Sequence, residues 1–577
     1  MNRMEELMNM RRDFRLEAFG ENTYFFAPQD DPKQVQNLLD QFFEKQEKNQ
    51  FGEERISVYF FPGNYAKEIS VRVGFYTQVS GLGIMPEDTV LRAVNCDASW
   101  NQHDSKNNGT CNFWRGVENI TIDGDAMWAV SQATYMRRMH IKGNLALHHD
   151  RGWVSGGFLA NTKVDGVTDS GTQQQWLSRN CSWDSWTGQN WNLVFAGVPE
   201  EGLPEGRWPE KPYTVVEKVP IIREKPFLAF DPGRGLGICV PETRVNAVDV
   251  DWTPGNWIPM EQFYIAKPDK DSATTLNQAL KEGQHLFFTP GIYELDEPLV
   301  LNKSGRILLG TGLATLRPAK GKACVEVVGD TRVTIAGLLI DAGTEPTEEL
   351  MIVGNGNRKN HNTEKKTDAE MAAEGFTLLA DLFFRVGGAA EYDTEVETCL
   401  TIAQDEVLGD HFWIWRADHS HGVGWNRNKA ARGLWVTGNN VTIYALMVEH
   451  FREYQTLWEG ENGRMIFYQS EIPYDVPRQE EWRSHDGKVN GYASYKVGDQ
   501  VQAHEAWGLG IYLFNRDAEV ELHSAMEVPR GAENIRIHNV CSVMITGLPG
   551  ITHVINETGG AVTTFNAREV VLEYDGK

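Results

Sequence analysis

The sequence predicts an all-β protein: two tandem right-handed parallel β-helices, each opened by a short capping helix. Three observations lead there. At 577 residues the chain exceeds what one ordinary compact core serves, so two domains or an elongated repeat are expected. One ordered set of segments occurs twice along it. Runs of β-branched residues closed by Gly, Asn or Asp recur without long amphipathic helices between them, as short stacked strands require.

The duplicated set begins with the helix-period segment 31-DPKQVQNLLDQFF-43, continues with 56-ISVYFFPGNY-65 and reaches 79-VSGLG-83. Its second copy is 271-DSATTLNQAL-280, 285-HLFFTPGIY-293 and 308-LLGTG-312. Each copy runs on into β segments, 117-VENITIDG-124 in the first and 331-TRVTIAGLLIDAG-343 in the second, with 439-NNVTIYALMVEH-450 a further one. The opening helix of each copy would cover the exposed end of a solenoid. A stretch rich in Pro and charge, 198-VPEEGLPEGRWPEKPYTVVEKVPIIREKP-226, reads as a connector. The division expected is an N-terminal extension at 1–20, a first β-helix at 21–197, a connector at 198–255 and a second β-helix at 256–577. A sandwich or propeller fits less well, since neither blade repeats nor evenly spaced hairpin turns occur.

Composition narrows the partners. Hydrophobic residues make up 41% of the chain, with 18 Trp, 26 Phe and 17 Tyr, enough aromatic surface for ligand stacking as well as core. A net charge of -25 argues against nucleic acid and anionic membranes, which need Lys/Arg-rich surfaces. The seven cysteines are scattered without CxxC spacing and signal neither zinc nor a disulfide framework. No phosphate-binding loop is present, and no cofactor is expected. The N-terminus lacks the apolar segment of a signal peptide, and no apolar run reaches the ~18 residues of a membrane span. As it stands the chain reads as cytoplasmic, or as secreted if a leader preceded this start.

Three places could carry chemistry. Glu449 and Glu471 lie 22 residues apart, about one solenoid coil, so they would stack on adjacent rungs ~4.8 Å apart. Such a pair cannot ionise fully at low cost and would share a proton, which makes a general acid; two solvated rim carboxylates with an accidental spacing are the plainer alternative. In 169-DSGTQQQWLSRNCSWDSWTGQNWNLVFAG-197, Gln173, Gln174, Gln175, Asn180, Asn190 and Asn192 stand among tryptophans. That mixture suits sugar hydroxyls and ring faces, and equally an Asn/Gln ladder at solenoid turns. Asp418, His419 and His421 in 410-DHFWIWRADHSHGVGW-425, and the run His148-His149-Asp150, lack a further ligand at recognisable spacing, so hydrogen-bonded turns are expected there and no metal.

These blocks resemble glycoside hydrolase family 55, the laminarinases or β-1,3-glucanases. The segment 448-VEHFREYQTLWEGENGRMIFYQSEIPYDVP-477 is similar to the family's SEHxxLYQ run followed by a strand and TE-x-PYxQP. SGTQQQWLSRN resembles its glutamine-bearing strand, and 410-DHFWIWRADH-419 its D-x-W-x-W-x-ADH run. The resemblance implies tandem pectate-lyase-like β-helices and an inverting mechanism. It makes Glu471 the general acid, Glu449 the carboxylate tuning or relaying its proton, and Gln174, beside Gln173 and Gln175, the holder of the attacking water. Within these blocks Asp418, His419, Tyr454, Gln455 and Asn192 are taken as further substrate contacts, and Trp153, Trp191, Trp458 and Tyr474 are candidates for sugar stacking. The expected activity is hydrolysis of an oligo- or polysaccharide, a neutral β-glucan and most simply a β-1,3-linked one. The competing readings are a polysaccharide lyase on the same scaffold and a glycan-binding protein without catalysis.

Overall fold

The computed structural model describes residues 3–354, 364–389, 391–546 and 550–576. Two stacks of parallel strands form the chain, joined by a short antiparallel region. In the first, Thr23–Phe26, Ile56–Phe60, Thr77–Gly81, Arg115–Ile122, Thr134–Ile141, Phe158–Ala160, Gln175–Arg179, Asn192–Ala196 and Tyr213–Val216 pair in that order. The stack therefore runs through Tyr213–Val216, past the boundary expected at 197. In the second, a ladder of parallel strands extends from Phe263–Ala266 through Thr442–Glu449 and Gly463–Glu471 to Asn534–Thr546, and the antiparallel strand Arg568–Tyr574 closes it. A nine-stranded sheet, Leu299–Leu301 through Gly550–Ile555, forms another face of that helix. Between the stacks, Phe227–Asp231, Gly235–Val240 and Asn256–Pro259 make a three-stranded antiparallel sheet.

The duplication is physical. Helix Pro32–Gln46 starts at Asp31, whose carboxylate accepts from the Lys33 N–H, and buries Val35, Leu39 and Phe43. Its counterpart, Ala273–Glu282, is capped by Ser272 and ends at Gly283 with φ of 97°. After each helix a buried strand enters a Pro-Gly turn, and the tyrosine two residues on locks that turn. Tyr65 Oη donates to the Phe61 carbonyl and Tyr293 Oη to the Thr289 carbonyl, both at 2.9 Å. Close approach fixes the glycines: a Cβ on Gly63 would stand 2.2 Å from Pro28, and one on Gly291 2.3 Å from Pro268.

A column of left-handed residues sets the corner of the second helix. Asp381, His411, Ala445, Phe467, Gly508 and Asn539 have φ between 47° and 75° and occupy equivalent positions on successive strands. Bulky side chains resist this conformation, so packing on both sides must hold it. The corner also fixes register beyond it, so residues four further on stack in one column: Trp415, Glu449, Glu471 and Tyr512. In the first helix Asn119, Asn161 and Asn180 have φ of 60°, 50° and 51°; Asn180 thus belongs to a turn ladder and not to a sugar-binding surface.

The two helices are fused along one side. Phe113 and Trp114 of the first pack on Trp413 of the second at 4.6 and 4.8 Å between ring centres, within one apolar cluster that spans both. Beside it runs a buried ionic network. Arg137 bonds Asp381 and Asp410, Arg179 bonds Asp410 and Glu224, and Lys225 bonds Glu118 and Asp381.

Candidate active site

Glu449 and Glu471 are direct register partners on adjacent strands. Glu449 is 3% exposed, whereas the Glu471 side chain keeps 14% of its surface open. Burial pushes the Glu471 carboxyl up to about 7; the Tyr474 hydroxyl, which donates to it, opposes that shift and the charge of Asp418 adds to it. Burial, then the neighbouring Glu471, drives Glu449 well above the usual carboxylate range, with the Gln469 amide pulling the other way. The pair therefore holds at least one proton near neutral pH.

Asp418 supplies a fixed negative charge beside them. Burial would raise its carboxyl, but the His419 imidazole, 2.9 Å away, and then His450 hold it down at about 2. His450, which the sequence reasoning did not single out, stands between the two acids, its Nε2 3.9 Å from Asp418 and 4.0 Å from Glu471. Burial keeps its pKa low, and its ring packs 4.4 Å from that of Tyr474. Tyr474 also meets Phe514 edge-on, so its hydroxyl is aimed at Glu471 by rings on both sides.

The opposite wall comes from the first helix. Gln132 Nε2 donates to Glu449 Oε1 at 2.8 Å, and Ser155 Oγ donates to Gln132 Oε1 at 3.3 Å. Continuing the register of Val154 with Gln173 and of Gln175 with Asn192 puts Ser155, Gln174 and Trp191 on successive rungs. At one end of this column Gln132 touches Glu449. At the other Trp191 lies 5.0 Å from Tyr512, the register partner of Glu471. Gln174 is thereby bracketed on the wall facing Glu471. Gln132 and Ser155 were missed in the sequence; Ser155 stands about one coil before Gln174 and Gln132 about one coil before Ser155, and that spacing is the signal that could have found them.

Strand alternation sorts the three glutamines. Gln173 and Gln175 point inward and are fully buried. The Gln173 amide donates to the Val130 and Leu147 carbonyls and accepts from the Gly156 N–H, and the Gln175 amide donates to the Ser155 carbonyl. Both are turn braces, which corrects their expected contact with substrate. Gln174, between them, is only half-buried.

Four further expectations are corrected. Asn192 is buried, and its amide donates to the Gly508 carbonyl across the helix junction at 3.0 Å. Gln455 is buried and closes its own loop, donating to the Phe451 carbonyl while accepting from the Phe451 N–H. Trp458 is fully buried against Tyr495 and His504 in the core of the second helix, closed to any sugar ring. Tyr454 packs edge-on against Tyr492, away from the glutamate pair, beside a separate groove. Of the remaining aromatics, Trp153 is 47% exposed, two residues before Ser155, and Trp191 is half-buried on the facing wall.

Comparison with known proteins agrees with this geometry. Residues 263–471 match the family model described as the LAM55 pectate lyase-like domain. The chain is 40% identical over 550 residues to an exo-β-1,3-glucanase of Streptomyces sp. (strain SirexAA-E / ActE), covering 94% of this chain and 87% of that one. The solved structure of sacteLam55A from Streptomyces sp. SirexAA-E matches with a TM-score of 0.89 at 39% identity, over 96% of this chain and 98% of that one. A glutamate-to-alanine variant of that protein in complex with glucose matches with the same TM-score at 38% identity and the same coverage. Paired parallel β-helices enclosing a proton-sharing glutamate pair define a β-helix glycoside hydrolase, an enzyme that cleaves a saccharide. The chain belongs to glycoside hydrolase family 55.

Proposed function

We propose that this protein hydrolyses a β-1,3-linked glucan from a chain end, with inversion at the anomeric carbon. Glu471 protonates the leaving oxygen, and a water held by Gln174 attacks the opposite face of the sugar. One observation carries the reading: a glutamate pushed up to about 7 is partly open to the cleft and faces a wall of neutral amides. An acid still protonated near neutral pH suits leaving-group protonation.

Among the described residues the facing wall is built from Gln132, Ser155, Gln174 and Trp191, none of them a carboxylate, which favours a water nucleophile over a covalent intermediate. Ser155 and Gln132 connect that side of the cleft to Glu449 by hydrogen bonds. As Glu471 gives up its proton, its new charge strengthens the proton affinity of Glu449 on the adjacent rung. With the proton the pair shares placed on Glu471, Glu449 starts ionised; it takes up the proton lost by the water and hands it back to Glu471. The β-1,3 linkage and action at chain ends follow the exo-β-1,3-glucanase activity of the 40% identical Streptomyces relative.

The test is hydrolysis of a linear β-1,3-gluco-oligosaccharide followed at once by proton NMR. The α-anomer of the released sugar is expected first; the β-anomer appearing first overturns the inverting reading. Glu471→Gln should abolish turnover while the oligosaccharide still binds.

A further inference from the structure

The outer surface of the second helix carries a groove of about 400 Å³ that the chemistry above does not use. Its described lining comes only from the second helix, including Trp425, Arg452 and Tyr492. A buried guanidinium separates it from the active site. Arg416 bonds Asp475 and the His450 carbonyl on the site side, and lies 5.8 Å over the Trp425 ring on the groove side.

The polar groups of the groove are unevenly matched. Most of its carboxylates are taken: Glu395 pairs with Lys429, Glu397 and Glu453 with Arg432, and Glu481 with Arg478. Among the described residues no cluster fit to hold a metal ion occurs. The donors are left over. Trp425 is 6% exposed, and its indole N–H has no partner. The Arg452 guanidinium lies 4.6 Å over that indole, the contact the structure shows for it.

Unmet donors call for an acceptor, and a buried one left unmet is costly. An anion would supply acceptors, but the surrounding glutamates repel it. A neutral ligand bearing many hydroxyls satisfies both conditions: its oxygens accept from the half-buried Arg452 guanidinium, which lies over the closed Trp425 indole. The half-buried Tyr492 ring, backed edge-on by Tyr454 at 5.2 Å, is a rigid face for stacking a sugar. We infer that this groove is a second saccharide-binding site, holding a further stretch of glucan on the outside of the second β-helix. The inference rests on the glucan reading of the active site.

Binding in the inactive Glu471→Gln protein, titrated calorimetrically with a β-1,3-gluco-oligosaccharide, should resolve two sites. Adding Tyr492→Ala, or separately Arg452→Gln, should remove one and leave the cleft site intact. In the active enzyme the same two substitutions should leave turnover of a β-1,3-linked disaccharide at the parental rate. Retention on an insoluble β-1,3-glucan should fall about tenfold, the scale of one lost stacking contact. One site in the parent, unchanged by either substitution, overturns this inference and leaves the cleft reading standing. No saccharide binding at all overturns both, whereas loss of disaccharide turnover in both variants shows the groove to be part of the catalytic cleft and overturns the second site alone.

Discussion

Gln132 of the first β-helix donates to Glu449 of the second across 2.8 Å, so the carboxylate behind the acid is held by a side chain more than three hundred positions away. Substituting Gln132 by Leu should therefore lower kcat by about 10²-fold, the usual scale for a proton-transfer partner, with little change in KM. Gln174→Ala should behave alike. Gln173→Ala should instead lower the melting temperature, because its buried amide braces three backbone groups. Steady-state kinetics and thermal scans on the three variants separate the roles; a Gln132 variant with parental kcat would remove the link to Glu449 from the mechanism.

The pH dependence follows from Glu471. An acid raised to about 7 is active while protonated, so kcat/KM should decline as pH rises through about 7. Asp418 contributes to the rise, so Asp418→Asn should move that alkaline limb to lower pH. Stability carries the opposite mark of the same shift. The folded protein holds this proton more tightly than the unfolded chain, whose carboxyl titrates near ~4.3. The stabilising effect is full below ~4.3 and is lost as pH climbs toward 7. Glu471→Gln should thus raise the melting temperature relative to the parent at pH 8 and do little at pH 5. An equal effect at both values contradicts the raised pKa.

The sequence exposed most of this arrangement where a feature repeats with the coil. The two Pro-Gly turns, with Tyr65 and Tyr293 behind them, are legible because each copy needs the same close backbone contact. Glu449 and Glu471 are legible because one coil separates them. What escaped is direction. Gln173, Gln174 and Gln175 look equivalent in sequence, and only the strand phase decides that the middle one faces out. Gln455 and Trp458 sit in the motif next to the acid, yet the chain has already turned the corner: Gln455 closes that loop on Phe451, and Trp458, in the nine-stranded sheet, faces the core. Gln132 belongs to no motif; its role arises from the meeting of two helices, which a linear pattern does not record.

The tryptophans make that distinction measurable. Trp458→Ala removes a fully buried ring and should cost about 3–5 kcal/mol of stability, with KM unchanged in the protein that folds. Trp153→Ala removes a ring that is 47% exposed near the amide wall. It should leave the melting temperature within about 2 °C and raise KM for oligosaccharides several-fold. Chemical denaturation and kinetics on the pair would expose an error through interchange of the two phenotypes.

The cleft also depends on the buried network that joins the helices. Arg179 bonds Glu224 at 2.7 Å and Asp410 at 2.9 Å, all nearly closed to solvent. Burial would raise the Glu224 carboxyl, but Arg179 and then Arg137 hold it down at about 2. Its contribution is thus present above the unfolded value of ~4.3 and disappears as pH falls toward 2, so acid should loosen the junction. Removing one member leaves the others charged and unpaired. Arg179→Leu should cost about 3–5 kcal/mol, the scale of a broken buried pair. Breaking the exposed pair of Lys142 and Asp123, 2.9 Å apart, should cost at most about 1 kcal/mol. Because Arg179 holds residues of the first helix, the connecting region and the second helix together, its loss should lower kcat even where the fold survives, through the spacing of Gln174 from Glu471. Unfolding free energies and kcat measured together decide this: a stability loss with parental kcat would make the network a staple of the fold that does not set the width of the cleft.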